Sequence, residues 1–127
     1  TGERRGIRNV PSAKVLENMK RTAEAIFEPM RAHFDSPINV ISFFRSPELN
    51  RAVGGSQTSQ HMTGEAMDLR GMGDVSNADI FNYIKDHLPF DQLIWEFGTR
   101  TEPSWVHVSY TPTRPRRQVL RAVRIKG

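Results

Sequence analysis

Apolar residues recur at three- and four-residue steps in two long stretches of the chain, which predicts two amphipathic helices. We expect the first over residues 12–34, with Pro29 bending or weakening its last turn because proline donates no backbone hydrogen bond. We expect the second to begin at Ser76 or Asn77 and to end at Pro89. The predicted buried stripes are Val15, Met19, Ala23, Ile26, Phe27 and Met30 in the first helix, and Ile80, Phe81, Ile84 and Leu88 in the second.

Shorter segments rich in β-branched and aromatic residues predict a sheet. A short helix is expected after the first strand, from the cap and first turn Ser46-Pro47-Glu48 to Gly54-Gly55. Residues 56–63 have no clear period and are predicted to form a loop. The strands are predicted at 38–43, 66–69, 91–97 and 105–110, with an edge strand at 118–125. This order predicts an α+β fold, with a small antiparallel sheet and helices packed on one side.

The 127 residues suffice for one domain with a modest core, so we interpret 1–127 as a single unit. No stretch approaches the ~20 consecutive apolar residues of a membrane span, and no signal peptide is visible. Because the chain begins at Thr1 rather than Met, an upstream segment removed during export is compatible with the sequence. The absence of cysteine excludes disulfides, thiolate chemistry and cysteine-ligated zinc.

The chain is basic, with 18 Lys and Arg against 14 Asp and Glu and a formal charge of +4. Much of the excess lies towards the two ends, which favours an anionic partner such as bacterial cell wall or nucleic acid. A solvated basic rim explains the same charge. Because neither aromatic–basic interleaving nor a helix-turn-helix pattern is present, we do not expect nucleic acid to be the partner.

Two short stretches, each close to a predicted strand, contain His61, Asp68 and His107. Two imidazoles and one carboxylate suit a zinc ion with an open fourth position, where water becomes acidic enough to react near neutral pH. We expect His61 on a loop, a sharp turn at Gly64, and Asp68 on a strand. His107 alternates with two valines, so it is predicted to face the cleft while the valines face the core.

Each of these residues also has a structural explanation when it is taken singly. A lone histidine in an apolar strand is more often a hydrogen-bonded structural residue, and an aspartate at a strand end often caps a turn. The other two histidines, His33 and His87, fall at helix ends, where solvent exposure is the simpler expectation. The metal hypothesis therefore depends on the joint context of the three residues.

The pattern Ser59-x-His61-x-x-Gly64-x-Ala66-x-Asp68, followed by Trp105-x-His107, resembles the zinc D-Ala-D-Ala carboxypeptidase family. That family includes phage endolysins that cut peptidoglycan peptides, and it shares its fold with the signalling domain of hedgehog proteins. The resemblance covers about residues 43–110. Further matches to its phage-and-bacterial branch are Phe44-Arg45-Ser46-Pro47, Asn50, Gly54-Gly55, Asp91-Gln92-Leu93-Ile94 and the Arg116-Arg117 stretch. It implies a hedgehog- and DD-peptidase-like fold and one Zn²⁺ bound by His61, Asp68 and His107.

Zinc-dependent peptide hydrolysis also needs a general base. Many relatives place an acid three residues before the last histidine ligand, where this chain has Ser104, which cannot accept the proton. We favour Glu96 instead, at the end of a strand expected beside that of His107, where partial burial would raise its pKa. The alternative interpretation of Glu96 is a surface carboxylate. Glu102 in the connecting turn is the second candidate, and Glu65 is the third, because an extended segment would point it away from the ligands.

The resemblance implies substrate roles for four further residues. Relatives use an arginine at the position of Arg45 to hold the substrate or to stabilise the oxyanion, and a guanidinium suits both tasks. Ser59 matches a serine in the relatives' substrate cleft, with Gln60 beside it, although a loop-capping hydroxyl is the alternative for Ser59. Trp105 is a candidate for the floor of the cleft, although a large aromatic on a strand more often belongs to the core.

These residues predict a zinc metallopeptidase that hydrolyses the peptidoglycan stem peptide, as a D-Ala-D-Ala carboxypeptidase or as an endopeptidase of the endolysin type. We expect a monomer that acts in the bacterial periplasm or cell wall, after secretion or phage delivery. The alternative is a non-catalytic zinc-containing binding module of the same fold, which the serine at position 104 favours.

Overall fold

The computed structural model describes residues 10–54, 59–113 and 115–122. Its helices are α1 (Ala13–Thr22), α2 (Glu28–Phe34), α3 (Pro47–Ala52) and α4 (Asn77–His87). A π-helical segment (Ala23–Phe27) joins α1 to α2, and a 3₁₀ helix (Gln60–Thr63) precedes β2. The strands are β1 (Asn39–Ser42), β2 (Ala66–Arg70), β3 (Gln92–Glu96), β4 (Trp105–Ser109) and β5 (Gln118–Ala122).

The first predicted helix is present, but its irregularity lies earlier than expected. The side chain of Ser12 accepts a hydrogen bond from the backbone of Val15 and caps α1, and residues 13–34 are helical throughout. The π-helical segment ends at Phe27, two residues before Pro29. Because proline cannot donate to the carbonyl four residues earlier, that carbonyl lacks its α-helical partner, and the distortion falls on the turn before the proline.

The five strands form one sheet in the order β1-β2-β4-β3-β5. The pairs β1–β2, β2–β4 and β3–β4 are antiparallel, as predicted, and β5 is an edge strand. However, β5 runs parallel to β3, so the sheet is mixed and the prediction of a purely antiparallel sheet was wrong. Of the predicted edge strand 118–125, residues 123–125 lie outside the described residues.

The parallel direction of β5 follows from where its first residues are held. After β4 the chain returns to the beginning of β3, where the backbone N–H of Gln118 donates to the carbonyl oxygen of Asp91 at 2.9 Å. The backbone N–H of Arg116 donates to the carboxylate of the same aspartate at 2.8 Å. Because β5 starts beside the start of β3, the two strands run in the same direction.

The core lies between one face of the sheet and the helices, as predicted. The helical segments contribute Ile26, Met30, Ile80, Phe81 and Ile84 to one buried cluster, and the strands contribute Met67, Leu69, Leu93, Trp95, Val106 and Val108. Val106 and Val108 are fully buried, while His107 between them belongs to the opposite face. That opposite face is therefore available for polar side chains. Among the described residues, no helix is long and apolar enough to cross a membrane.

The segment before β2 is more ordered than the predicted loop over 56–63. The hydroxyl of Ser59 accepts a hydrogen bond from the backbone of His61 and caps the 3₁₀ helix, which ends at Gly64 with a φ of 76°. Residues 56–58 lie outside the described residues. From α1, Asn18 donates to the carbonyl of Thr63 at 3.0 Å, and the buried Thr22 donates to the carbonyl of Gly64 at 3.0 Å. Helix α1 therefore fixes the turn that follows His61.

We predict that Gly64→Ala destabilises the protein strongly. A Cβ at position 64 would lie 2.6 Å from Cγ of Met19 and 2.8 Å from the carbonyl oxygen of Val15. The left-handed backbone costs an L-residue about 1–2 kcal/mol, and overpacking adds about 1–3 kcal/mol. Gly73→Ala is the control, because its φ is +61° and nothing lies within 4 Å of an added Cβ. Equal losses in the free energy of unfolding, measured by urea titration, would show that α1 does not constrain this turn.

Candidate metal centre and cleft

Asp68 and His107 are directly opposite one another on β2 and β4. Nδ1 of His107 lies 3.0 Å from Oδ1 of Asp68. Both side chains are on the face of the sheet away from the core, because their neighbours along each strand are buried in the core. Strand alternation and register thus suffice to bring two of the three predicted ligands together.

His61 reaches the same place from the 3₁₀ helix. Its side chain is 1% exposed, and its Nε2 lies 3.3 Å from Oδ2 of Asp68. The structure therefore brings together all three predicted ligands, with one potential ligand atom from each residue within 4.8 Å of the others.

The backbone next to the site fixes the tautomer of His61. Its Nδ1 lies 2.7 Å from the carbonyl oxygen of Phe43, and since a carbonyl only accepts, Nδ1 carries the proton and donates it. Nε2 then presents a lone pair towards Asp68. This arrangement is usual for a histidine ligand, whose second nitrogen is held by a backbone carbonyl.

The lone pair of His61 provides a test of whether a metal fits here. Nε2 is buried and has no hydrogen-bond partner, despite the carboxylate oxygen 3.3 Å away. Two atoms that both present lone pairs repel each other at this distance unless a proton or a cation lies between them. The donor set of two imidazoles and one carboxylate fits a divalent metal ion, so the residues present suit the group.

The carboxyl of Asp68 is ionised over the neutral range of pH. Burial opposes ionisation of this carboxyl, but where His107 and His61 carry a proton on the nitrogen that faces it, their hydrogen bonds and charge outweigh burial and hold the pKa of Asp68 well below its ordinary value. A carboxylate that is already ionised can bind a cation without first losing a proton.

A cleft of about 550 Å³ opens beside these ligands on the same face of the sheet. β3 supplies its floor through Gln92, Ile94 and Glu96, whose intervening neighbours Leu93 and Trp95 are buried in the core. The remaining lining residues are Arg45, Ser59, Gln60, His107 and Arg116. The site therefore combines a potential metal centre with two arginines and one acid.

A sequence model of the peptidase M15 family matches residues 3–109 of the chain. The chain belongs to the peptidase M15 family, the zinc D-Ala-D-Ala carboxypeptidase family. Peptidases of this family depend on a metal, and the His61–Asp68–His107 group could bind one. No curated protein matches this chain.

The three acids considered as general base lie in different surroundings in this M15 peptidase. Glu96 lines the cleft. Glu102 accepts a 2.6 Å hydrogen bond from the backbone N–H of Ala78 at the start of α4. Glu65 accepts a 2.6 Å hydrogen bond from the hydroxyl of Thr63. Glu102 and Glu65 thus have structural partners, whereas Glu96 faces the ligands.

The surroundings of Glu96 shift its protonation. Burial raises the pKa of Glu96, the imidazole of His107 counteracts part of that effect, and the charge of Asp68 adds to it. A raised pKa brings the carboxyl closer to the range in which it can both accept and return a proton.

Arg45 lies between the 3₁₀ helix and the cleft. Its backbone N–H donates to the carbonyl of His61 at 3.0 Å, and its Nη2 donates to the hydroxyl of Ser59 at 3.3 Å. Its Nε is buried without a hydrogen-bond partner. Burial lowers the pKa of this guanidinium, and the charge of Asp68 opposes that shift. Nε is therefore an unsatisfied donor in a guanidinium that lines the cleft.

The other residues suggested for substrate contact divide into two groups. Ser59 and Gln60 line the cleft, and the hydroxyl of Ser59 also caps the 3₁₀ helix, which was the alternative interpretation of this residue. Trp105 is on the His107 face, where its ring contacts that of Phe97 edge-on at 5.4 Å. It is not among the described residues that line the cleft, although it is not a core residue either.

Arg116, which lines the cleft, and Asp91, which binds it, have no role in the sequence-based hypothesis. Asp91 is 3% exposed and holds Arg116 in a side-on ion pair. Their only sequence signal is that both fall in stretches resembling the family. The carbonyl of Phe43 that fixes His61 has no sequence signal, because any residue carries a backbone carbonyl.

We predict that His107→Ala abolishes metal binding. Removing one of three ligands leaves two, so the metal-to-protein ratio after dialysis should fall from about one to near zero. Chelation should lower the melting temperature of the wild type, because bound metal stabilises the folded state, and leave that of the variant unchanged. His87→Ala is the matched control, since His87 packs on Tyr83 of α4 away from the cleft. Full metal content in His107→Ala, by elemental analysis, would contradict the assignment.

Proposed function

We propose that this M15 peptidase hydrolyses peptide bonds in the peptidoglycan stem peptide, with one Zn²⁺ held by His61, Asp68 and His107. The observation that carries the proposal is the buried, unpartnered Nε2 of His61, which faces the carboxylate of Asp68 beside the cleft that His107 lines. Three protein ligands with a fourth position open to a cleft are the pattern of catalytic zinc sites. When bound there, zinc supplies Lewis-acid activation of water and of the peptide carbonyl.

Glu96 acts as the general base in this proposal. It accepts a proton from the attacking water and donates it to the nitrogen of the leaving amine as the peptide bond breaks. Its support is its place on the floor of the cleft and its half-buried carboxyl, whose raised pKa favours returning the proton. Ser104, at the position where many relatives have an acid, donates its backbone N–H to the carbonyl of Glu96 at 2.9 Å. In this proposal Glu96 on β3 supplies the carboxylate that many relatives have at the position of Ser104.

Arg45 stabilises the negative charge that develops on the carbonyl oxygen. Its guanidinium lines the cleft and carries its charge before substrate arrives, so little reorganisation is needed as the charge forms. The bond from Nη2 to Ser59 restrains the side chain, and the backbone bond to the carbonyl of His61 fixes the distance between the arginine and the metal ligands.

Peptidoglycan is the proposed substrate for two reasons. M15 peptidases commonly act on the cell wall, and the net charge of +4 favours association with an anionic polymer. We place the reaction in the bacterial periplasm or cell wall. The competing function, a zinc-containing binding module without catalysis, is favoured only by Ser104.

We predict that Glu96→Gln abolishes hydrolysis and retains the metal. Loss of a general base typically lowers the rate by about 10²–10⁴-fold. The measurement is the mass spectrum of muropeptides incubated with metal-loaded wild type or variant, and wild-type activity should disappear on chelation. Glu102→Gln is the control, because Glu102 bonds the start of α4. Absence of cleavage by loaded wild type would favour the binding module, and full activity in Glu96→Gln would refute Glu96 as the base.

The same variant should not be less stable than the wild type at neutral pH. Because burial raises the pKa of Glu96, its ionised form is disfavoured in the folded protein, and above its unfolded pKa this charge opposes folding. Neutral glutamine removes that effect. Urea titration of the metal-free proteins at pH 7 checks the sign, since a clear loss of stability in Glu96→Gln would indicate a structural role.

We predict that Arg45→Ala lowers turnover by about 10²–10³-fold, the usual effect of losing one oxyanion donor. Metal content should stay near that of the wild type, because the backbone bond to His61 does not use the side chain. Arg51→Ala is the control, since it removes the same charge from an exposed position of α3. Unchanged turnover on a stem peptide in Arg45→Ala would exclude a role in the reaction.

A further inference from the structure

One end of the cleft contains a second arginine, Arg116, that the proposed hydrolysis does not use. It lies in the connection from β4 to β5, after residues 3–109, the segment that the family model matches. Its side chain is 56% exposed and lines the cleft beside Gln60 and Gln92. A long, exposed arginine is usually mobile, so what holds this one decides whether it can recognise anything.

Asp91 fixes this guanidinium from below. Nε of Arg116 donates to Oδ1 of Asp91 at 3.0 Å, and Nη2 donates to Oδ2 at 2.9 Å. Oδ1 also accepts the backbone N–H of Arg116 at 2.8 Å. Asp91 is 3% exposed, and these bonds hold its pKa below the ordinary value, so the carboxylate stays charged. Three bonds to one buried carboxylate restrain both the backbone and the guanidinium of Arg116.

The same carboxylate connects Arg116 to the metal ligands. Nε2 of Gln60 donates to Oδ2 of Asp91 at 3.2 Å, and Gln60 directly precedes His61 in the 3₁₀ helix. The position of the arginine is thereby fixed relative to the metal centre. A recognition group needs this kind of preorganisation to select one substrate geometry.

The pairing leaves part of the guanidinium available. Asp91 takes one edge of it, through Nε and Nη2. Within the described residues, Nη1 of Arg116 has no hydrogen-bond partner, whereas both terminal nitrogens of neighbouring Arg117 donate to carbonyls near the end of α4. The two consecutive arginines therefore differ: Arg117 supports the fold, and Arg116 offers N–H donors to the cleft.

Arg116 lies about as far along the cleft from His107 as one substrate residue would extend beyond the cleaved bond. His107 is opposite Ile94, the middle of the three β3 residues on the floor, and Arg116 is held at the Gln92 end. Two residues of strand span about 7 Å. A single extended residue covers about 3.5 Å, and an N–H···O bond to a terminal carboxylate adds about 2.8 Å. These lengths fit a leaving group of one amino acid.

Charge also distinguishes the two ends of the floor. Glu96 lies at the far end of β3, and Arg116 lies at the near end with the amides of Gln60 and Gln92. A carboxylate is therefore repelled at one end and attracted at the other. An uncharged, continuing peptide chain would gain no ion pair at the Arg116 end.

We propose that Arg116, held by Asp91, binds the free C-terminal carboxylate of the peptide and makes this protein a carboxypeptidase rather than an endopeptidase. This inference rests on the proposed function, because it names the substrate end that the same cleft selects. The ligand chemistry is a carboxylate, which a stem peptide also presents on side chains, so the test separates the terminal carboxylate from a side-chain carboxylate.

The test uses metal-loaded protein and uncleavable peptides in which a CH₂–NH linkage replaces the amide between the two terminal D-alanines. One peptide ends in a carboxylate and its partner in a carboxamide. Charge-assisted hydrogen bonds contribute about 1.5–3 kcal/mol, which corresponds to roughly 10–150-fold in Kd. We expect calorimetry to show this preference for the free acid in the wild type and its loss in Arg116→Gln. Arg117→Gln removes the same charge one residue away and should retain the preference.

A second pair of peptides ends in the free carboxylate and differs only by a glutamate or glutamine side chain before the two alanines. If Arg116→Gln changes the preference for glutamate over glutamine but not the preference for free acid over carboxamide, the arginine binds a side-chain carboxylate and the proposal is overturned. Equal affinity of the wild type for free acid and carboxamide also overturns it. Hydrolysis of the cleavable parent peptides is measured in parallel. Preferential binding of the free acid without hydrolysis would refute the proposed function but support the carboxylate site. Hydrolysis without a preference for the free acid would support the proposed function and refute the carboxylate site.

Discussion

The convergence of two imidazoles on one carboxylate is the constraint on which the rest of the site depends. Asp68 lies 3.0 Å from Nδ1 of His107 and 3.3 Å from Nε2 of His61, and the latter nitrogen is buried without a partner. The hydrogen bond between His107 and Asp68 compensates part of the cost of bringing these groups out of water, but the buried Nε2 of His61 receives no such compensation from folding. The surrounding structure, in particular the carbonyl of Phe43 and the register of β2 with β4, holds them there. Binding of a metal by this group would supply that compensation.

Local patterns predicted most of the elements because burial and backbone chemistry act over short distances. The alternation of His107 with two valines gave its face correctly, and Ser12, Ser46 and Ser76 cap the helices that were expected to begin beside them. The three residues that could hold a metal were found in the same way, since their residue types and motif spacing are specific. For these features, sequence and fold carry the same information.

The features that sequence did not predict are all set by non-local contacts. The direction of β5 depends on the bonds between Asp91 and the segment 116–118, which no hydrophobic pattern records. The choice among Glu96, Glu102 and Glu65 needed the partner of each carboxylate, and only the fold shows that Glu102 is used by α4. The 3₁₀ helix before β2 is too short to have a period, and its cap and terminal glycine become informative only with its partners in α1.

Asp91 links these non-local features to function. One buried carboxylate starts β5 in the parallel direction, orients Arg116 towards the cleft and holds the residue before His61. A merely structural role would need only the backbone bonds, because these already fix the strand. The additional side-on pair with an exposed guanidinium lowers the conformational freedom of Arg116, which a solvated surface arginine would retain. The cost of ordering that side chain is explained if the arginine meets a ligand, and in this cleft the ligand that complements it is an anion next to the bond that zinc and Glu96 would cleave.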